Sequence, residues 1–110
     1  MITDLRSFVM ATAILLAGAS SSGASQISDE AMVNHLVLAE FALVDCGHQP
    51  ASSETLANVL ILKSREIGWS VTRESVDRLQ TMRRQASWNK RELCISAIRY
   101  YRSLPRQLGL

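Results

Sequence analysis

The chain has 110 residues, 12 Lys and Arg against 10 Asp and Glu, 47% hydrophobic residues, and only 5 Gly, 2 Pro and 2 Cys. That length allows one domain at most, the moderate charge and apolar content exclude long disorder, and a formal net charge of +2 is too small to mark a nucleic-acid binder. Two cysteines with no CxxC or CxxCH spacing exclude a four-thiolate zinc site and a haem attachment motif.

Residues 1–25 read as an export signal. Arg6 supplies the positive start, and Phe8-Val9-Met10-Ala11-Thr12-Ala13-Ile14-Leu15-Leu16-Ala17 is the apolar run. The run is too short for an ordinary membrane-spanning helix, which needs roughly 20 apolar residues. Leu16-Ala17-Gly18 followed by Ser20-Ser21-Ser22 has the form of a bacterial lipoprotein signal, but Ala19 stands where such a signal needs the lipidated Cys. The chain is then either cut by the ordinary signal peptidase or is a form that has lost its anchor. Residues 26–110 make up the mature domain.

Few Gly and Pro beside abundant Leu, Ala, Ile, Arg and Glu point to helices, and the caps divide the mature domain into four. Ser28 caps helix one, with Asp29 and Glu30 in its first turn, Ile27 and Met32 at staple spacing, and Gly47 as its stop after Cys46. Ser53 caps helix two, which carries Leu56, Val59, Leu60 and Ile67 on one face and stops at Gly68. Thr72 caps helix three, with Val71 and Val76 as a second staple and a narrow stripe of Val76, Leu79 and Met82. Asn89 and Glu92 have capping-box spacing for helix four, whose face is Cys94, Ala97, Ile98 and Tyr101, and Pro105 follows its end. Short loops favour antiparallel neighbours, so the expected fold is an all-α, up-down four-helix bundle.

Export places Cys46 and Cys94 in an oxidising compartment, where one disulfide is the simplest pairing and two free buried thiols the alternative. An up-down bundle brings the end of helix one beside the start of helix four, which suits the disulfide. Closing that loop contributes roughly 3–4 kcal/mol in the chain-entropy model.

Helix one is too apolar for a single buried stripe. Met32, Leu36, Ala39, Leu43 and Cys46 share one side, and Val33, Val37, Phe41 and Val44 share a second. Either this helix is central and touches several neighbours, or part of the second side lines a groove for a partner helix. Charge divides unevenly. Residues 26–53 hold Asp29, Glu30, Glu40 and Asp45 and no cation, whereas residues 54–110 hold 11 Lys and Arg against 5 Asp and Glu. Internal complementarity accounts for most of this, and the cluster Arg83, Arg84, Lys90, Arg91 is the candidate for an acidic partner or lipid headgroups.

Catalytic signals are absent. His35 reads as a surface residue. Asp45 and His48 make a possible hydrogen-bonded pair with no third member or nucleophile at suitable spacing. Trp69 and Trp88 are expected to pack at the ends of helix three. No cofactor or metal site is expected.

The pattern resembles the PulS/OutS-type pilotins of bacterial type II secretion. The matching features are the lipoprotein-like signal, the helix Leu36-Val37-Leu38-Ala39-Glu40-Phe41-Ala42-Leu43-Val44-Asp45-Cys46 with Cys at its end, the segment Arg65-Glu66-Ile67-Gly68-Trp69, and Cys94 near the start of a fourth helix. The likeness covers residues 30–104. It implies a disulfide-linked helical domain at the inner face of the outer membrane, where the family is held by its lipid. It also implies binding of the secretin subunit's C-terminal segment, which folds as a helix in an apolar groove and is protected and guided to the outer membrane. An exported immunity protein against a toxic periplasmic enzyme and a small periplasmic chaperone are the competing classes, and an enzyme has no motif in its favour.

Overall fold

A computed structural model describes residues 27–110. The export signal and Ala19 lie outside the described residues. Three helical elements are present: α1 (Asp29–Glu40), which continues as a π-helical turn over Phe41–Asp45, α2 (Ser52–Lys63) and α3 (Trp69–Gln107). Among the described residues there is no strand, and no helix is long and apolar enough to cross a membrane.

The start of α1 follows from its sequence. The Ser28 hydroxyl accepts from the Ala31 N–H at 3.1 Å, and Asp29 and Glu30 sit at the positive end of the helix dipole. The π turn closes with the Cys46 N–H donating to the Phe41 carbonyl at 2.9 Å, and Gly47 ends the segment at a positive φ of 69°. A side chain at that φ is strained, which makes Gly47 a true stop.

The other boundaries differ from expectation. Ala51, not Ser53, is the residue before α2, because the Glu54 carboxylate reaches back to accept from the Ala51 N–H at 3.1 Å. α2 ends at Lys63, short of Ile67. α3 begins at Trp69 after Gly68, and Thr72 lies inside it, its hydroxyl donating to the Gly68 carbonyl at 3.1 Å. Pro105 also lies inside α3, within its last turn. The four-helix division is replaced by one long element with a break at Asn89 (φ −138°, ψ 31°), the residue expected to cap a fourth helix.

That break reverses the chain. In the first half of α3, Arg78 reaches Asn34 and Arg83 reaches Asp45, so this half runs alongside α1 in the same direction. In the second half, Cys94 bonds Cys46 and Tyr100 meets His35, so this half runs back. α2 is antiparallel to α1, with His48 held by Glu54, Asn58 opposite His35, and Arg65 on Asp29 at 2.7 Å. α1 therefore has neighbours on three sides. The core is Met32, Val33, Val37, Ala39, Phe41 and Ala42 from α1 and its π turn, Ala57 and Ile61 from α2, and Val71, Ala97, Tyr101 and Leu104 from α3. The Cys46–Cys94 disulfide ties the end of the π turn to the second half of α3.

Candidate functional site: apolar clefts beside the α1–α3 seam

Where α1 lies against the first half of α3, the seam is flanked by two open clefts. One, of about 340 Å³, is lined by Asn34, Val37, Leu38, Thr81, Met82 and Leu93, with Arg78 and Gln85 at its rim. The other, of about 310 Å³, is lined by Leu36, Val37, Ile67, Ser75, Val76 and Leu79, with Glu40 and Thr72 at its rim. Val37 belongs to both and forms the ridge of floor between them. The lining is mostly apolar, with Arg78 and Glu40 as its charged members.

These edges are fixed by polar contacts. Arg78 donates to Glu74 at 2.8 Å and to Asn34 at 3.2 Å. Arg83 holds Asp45 in a two-pronged pair at 2.8 and 2.7 Å, with Glu40 farther off at 3.9 Å. The hydrogen bond with Asp45 raises the guanidinium pKa further above its ordinary range. Asp45 is the last residue of the π turn.

Of the four residues expected to line a partner groove, Val33, Val37 and Phe41 are buried at 3%, 6% and 0% exposure. They are core residues, and of them only Val37 lines these two clefts. The physical reason is the central position of α1, which has neighbours on three sides. Val44 is 63% exposed but lines neither cleft. The cleft walls come instead from the partly buried Leu36 and Leu38 and from Val76, Leu79 and Met82 of α3. The stripe Val76, Leu79, Met82 is visible in the sequence, but its spacing does not say whether it is covered.

Three further expectations are corrected. His35 is 1% exposed rather than superficial. Its Nε2–H donates to Asn58 Oδ1 at 2.7 Å, and the Tyr100 hydroxyl donates to its Nδ1 at 3.1 Å, so the neutral ring is satisfied at both nitrogens. Burial lowers the His35 pKa, with the Asn58 hydrogen bond opposing, and burial pushes the Tyr100 hydroxyl up to about 12. His48 pairs with Glu54 at 2.9 Å, not with Asp45, and lies edge-on to Tyr101 at 5.6 Å. Burial opposes charge on Glu54, but the hydrogen bonds from His48 and the Ala51 N–H outweigh it and hold the carboxyl below its ordinary range. Trp69 and Trp88 are each 75% exposed and pack no helix end.

None of these groups forms a nucleophile–base pair in a cavity, and among the described residues no cluster of His, Cys, Asp and Glu is able to hold a metal. The arrangement offers apolar surface with fixed polar edges, which is chemistry for binding. No protein-family model, curated protein or solved structure matches the chain.

Proposed function

We propose that this domain is an exported receptor for an amphipathic helical segment, which lies along the α1–α3 seam with its apolar side chains in the two clefts. Following the resemblance to the PulS/OutS-type pilotins, the segment is the C-terminal tail of an outer-membrane secretin subunit, and the domain acts in the periplasm to protect that subunit and guide it to the outer membrane. The observation that carries the reading is the pair of aliphatic clefts meeting at Val37, bounded by Arg78 and Glu40. An amphipathic helix uses such a surface by placing residues at i, i+3, i+4 and i+7 into the depressions. A tail that folds on binding loses conformational entropy, and an extended apolar surface offsets that cost. The chain reversal at Asn89 and the disulfide agree with the resemblance, in which the two halves of α3 are the third and fourth helices of an up-down bundle.

The test is titration of the protein with synthetic peptides of secretin C-termini, followed by circular dichroism and calorimetry. Helix gain in the peptide with micromolar or tighter affinity is expected. Val76→Glu, at a cleft wall and 48% exposed, is expected to abolish binding while leaving the helical spectrum unchanged. Absence of binding to every candidate tail overturns the reading. Position 19 has its own test: Ala19→Cys restores the residue a lipid anchor needs and is expected to move the secretin to the outer membrane. Unchanged localisation refutes the lost-anchor idea.

A further inference from the structure

The second half of α3 turns a different face to solvent. Arg91, Ile95, Arg99, Arg102 and Arg106 are exposed there, with Ile98, Cys94 and Ser103 partly covered beside them, and together they line a shallow depression. Their spacing puts them on one side of the helix, opposite the buried Ala97, Tyr101 and Leu104. Between Lys90 and Arg106 the only acid is Glu92. Elsewhere in the domain, Arg65, Arg78 and Arg83 are each committed to a carboxylate within 3 Å. Among the described residues, Arg91, Arg99, Arg102 and Arg106 make no ion pair at all. Arg102 helps keep Glu54 ionised from a distance, but that carboxylate is held by His48 and Ala51. Among the described residues, then, these four guanidinium groups hold no carboxylate.

We propose that this arginine face is a contact surface for an anionic lipid bilayer. Guanidinium groups bind phosphate through paired N–H donors. Ile95, 40% exposed, and Ile98 lie between the arginines and supply the short apolar contact that an interfacial helix makes at the headgroup boundary. Four arginines and two isoleucines on one side of the helix complement a layer of anionic headgroups and its apolar boundary. This inference does not depend on the helix-receptor reading, since it uses a different face.

The experiment is flotation of the full chain with vesicles of phosphatidylcholine alone or mixed with phosphatidylglycerol. The apolar run contributes to both vesicle types, so the readout is the difference between them. A preference for the phosphatidylglycerol vesicles is expected, weakened about fivefold per arginine removed and so about a hundredfold in the triple variant R99Q/R102Q/R106Q. The control K63Q/R73Q/R84Q removes the same charge elsewhere and is expected to keep the preference. In the unaltered protein, roughly 1 M salt shortens the Debye length to about 3 Å and is expected to abolish it. Equal binding to both vesicle types, equal losses in the two triple variants, or retention of an acidic peptide without vesicle binding each overturns the proposal, the last by assigning the face to a protein partner.

Discussion

α1 and α2 are each 12 residues long and both rich in aliphatic side chains, yet they are buried in opposite ways. α1 hides Met32, Val33, His35, Val37 and Ala39, and its π turn hides Phe41 and Ala42. α2 hides only Ala57 and Ile61, while Leu56, Val59 and Leu60 are 39–50% exposed. The cause is position in the fold. α1 lies between the two halves of α3 and against α2, so side chains on three of its sides find partners. α2 meets the rest through the small Ala57, which permits close approach, and through Ile61, with the larger aliphatic residues turned out. Apolar content is thus a poor guide to burial unless it is known which neighbours a helix has.

The sharpest way to break this contrast is a charge at the start of the π turn that continues α1. Phe41→Asp buries an unpaired carboxylate at a fully covered site and is expected to prevent folding, seen as loss of the helical spectrum. The milder Phe41→Ala is expected to cost about 3–5 kcal/mol in denaturant unfolding, the range for deleting a buried aromatic ring. If Phe41→Asp instead folds and loses only peptide binding, α1 is not the core helix described here. Removing the disulfide with Cys46→Ala and Cys94→Ala together is expected to cost roughly 3–4 kcal/mol from the freedom regained by a loop of 48 residues' separation. A loss below about 1 kcal/mol would mean that the unfolded chain is already held together near these cysteines.

Legibility in the sequence follows the same division between local and distant causes. The Ser28 cap, the Gly47 stop and the Cys46–Cys94 pair depend on local backbone chemistry or on a simple pairing, and the structure contains them. Asn89 marks a real break, with non-helical φ and ψ, and the two halves of α3 run in opposite directions on either side of it. The buried faces are where sequence reasoning fails. The i, i+3, i+4 spacing of Leu56, Val59 and Leu60 suggests a covered stripe, and nothing in α2 itself reveals that its contact runs through Ala57 and Ile61. His35 has no local partner in the sequence, since Asn58 and Tyr100 come from the other two helices. The clefts were half visible, in Val76, Leu79 and Met82, whereas their opposite walls depend on how α1 is rotated against α3.

His35 sharpens the contrast with a pH effect. Burial lowers its pKa in the folded protein below the ordinary value, so the unfolded chain binds the extra proton more readily. Stability is therefore full above the unfolded-state pKa of about 6.5 and falls as pH drops below it toward the folded value, by at most about 1.4 kcal/mol per pH unit. Unfolding midpoints measured from about pH 7.5 down to pH 5.5 are expected to decline in the unaltered protein and to decline less in His35→Gln, which keeps polar groups for Asn58 and Tyr100 but does not titrate. Equal slopes in the two proteins would remove His35 as the source.

The smallest expected effect belongs to the outward face of α2. Leu56→Ser and Val59→Ser each remove an aliphatic group that already meets water, so stability is expected to change by no more than about 0.5 kcal/mol. The comparison with Phe41 is the informative quantity, because all three side chains are apolar and differ in burial. A cost at Leu56 approaching that at Phe41 would mean that α2 is covered in solution. The concentration dependence of the unfolding midpoint then decides by what: a midpoint that rises with protein concentration identifies a second copy on this face, and a constant one identifies contact within the chain.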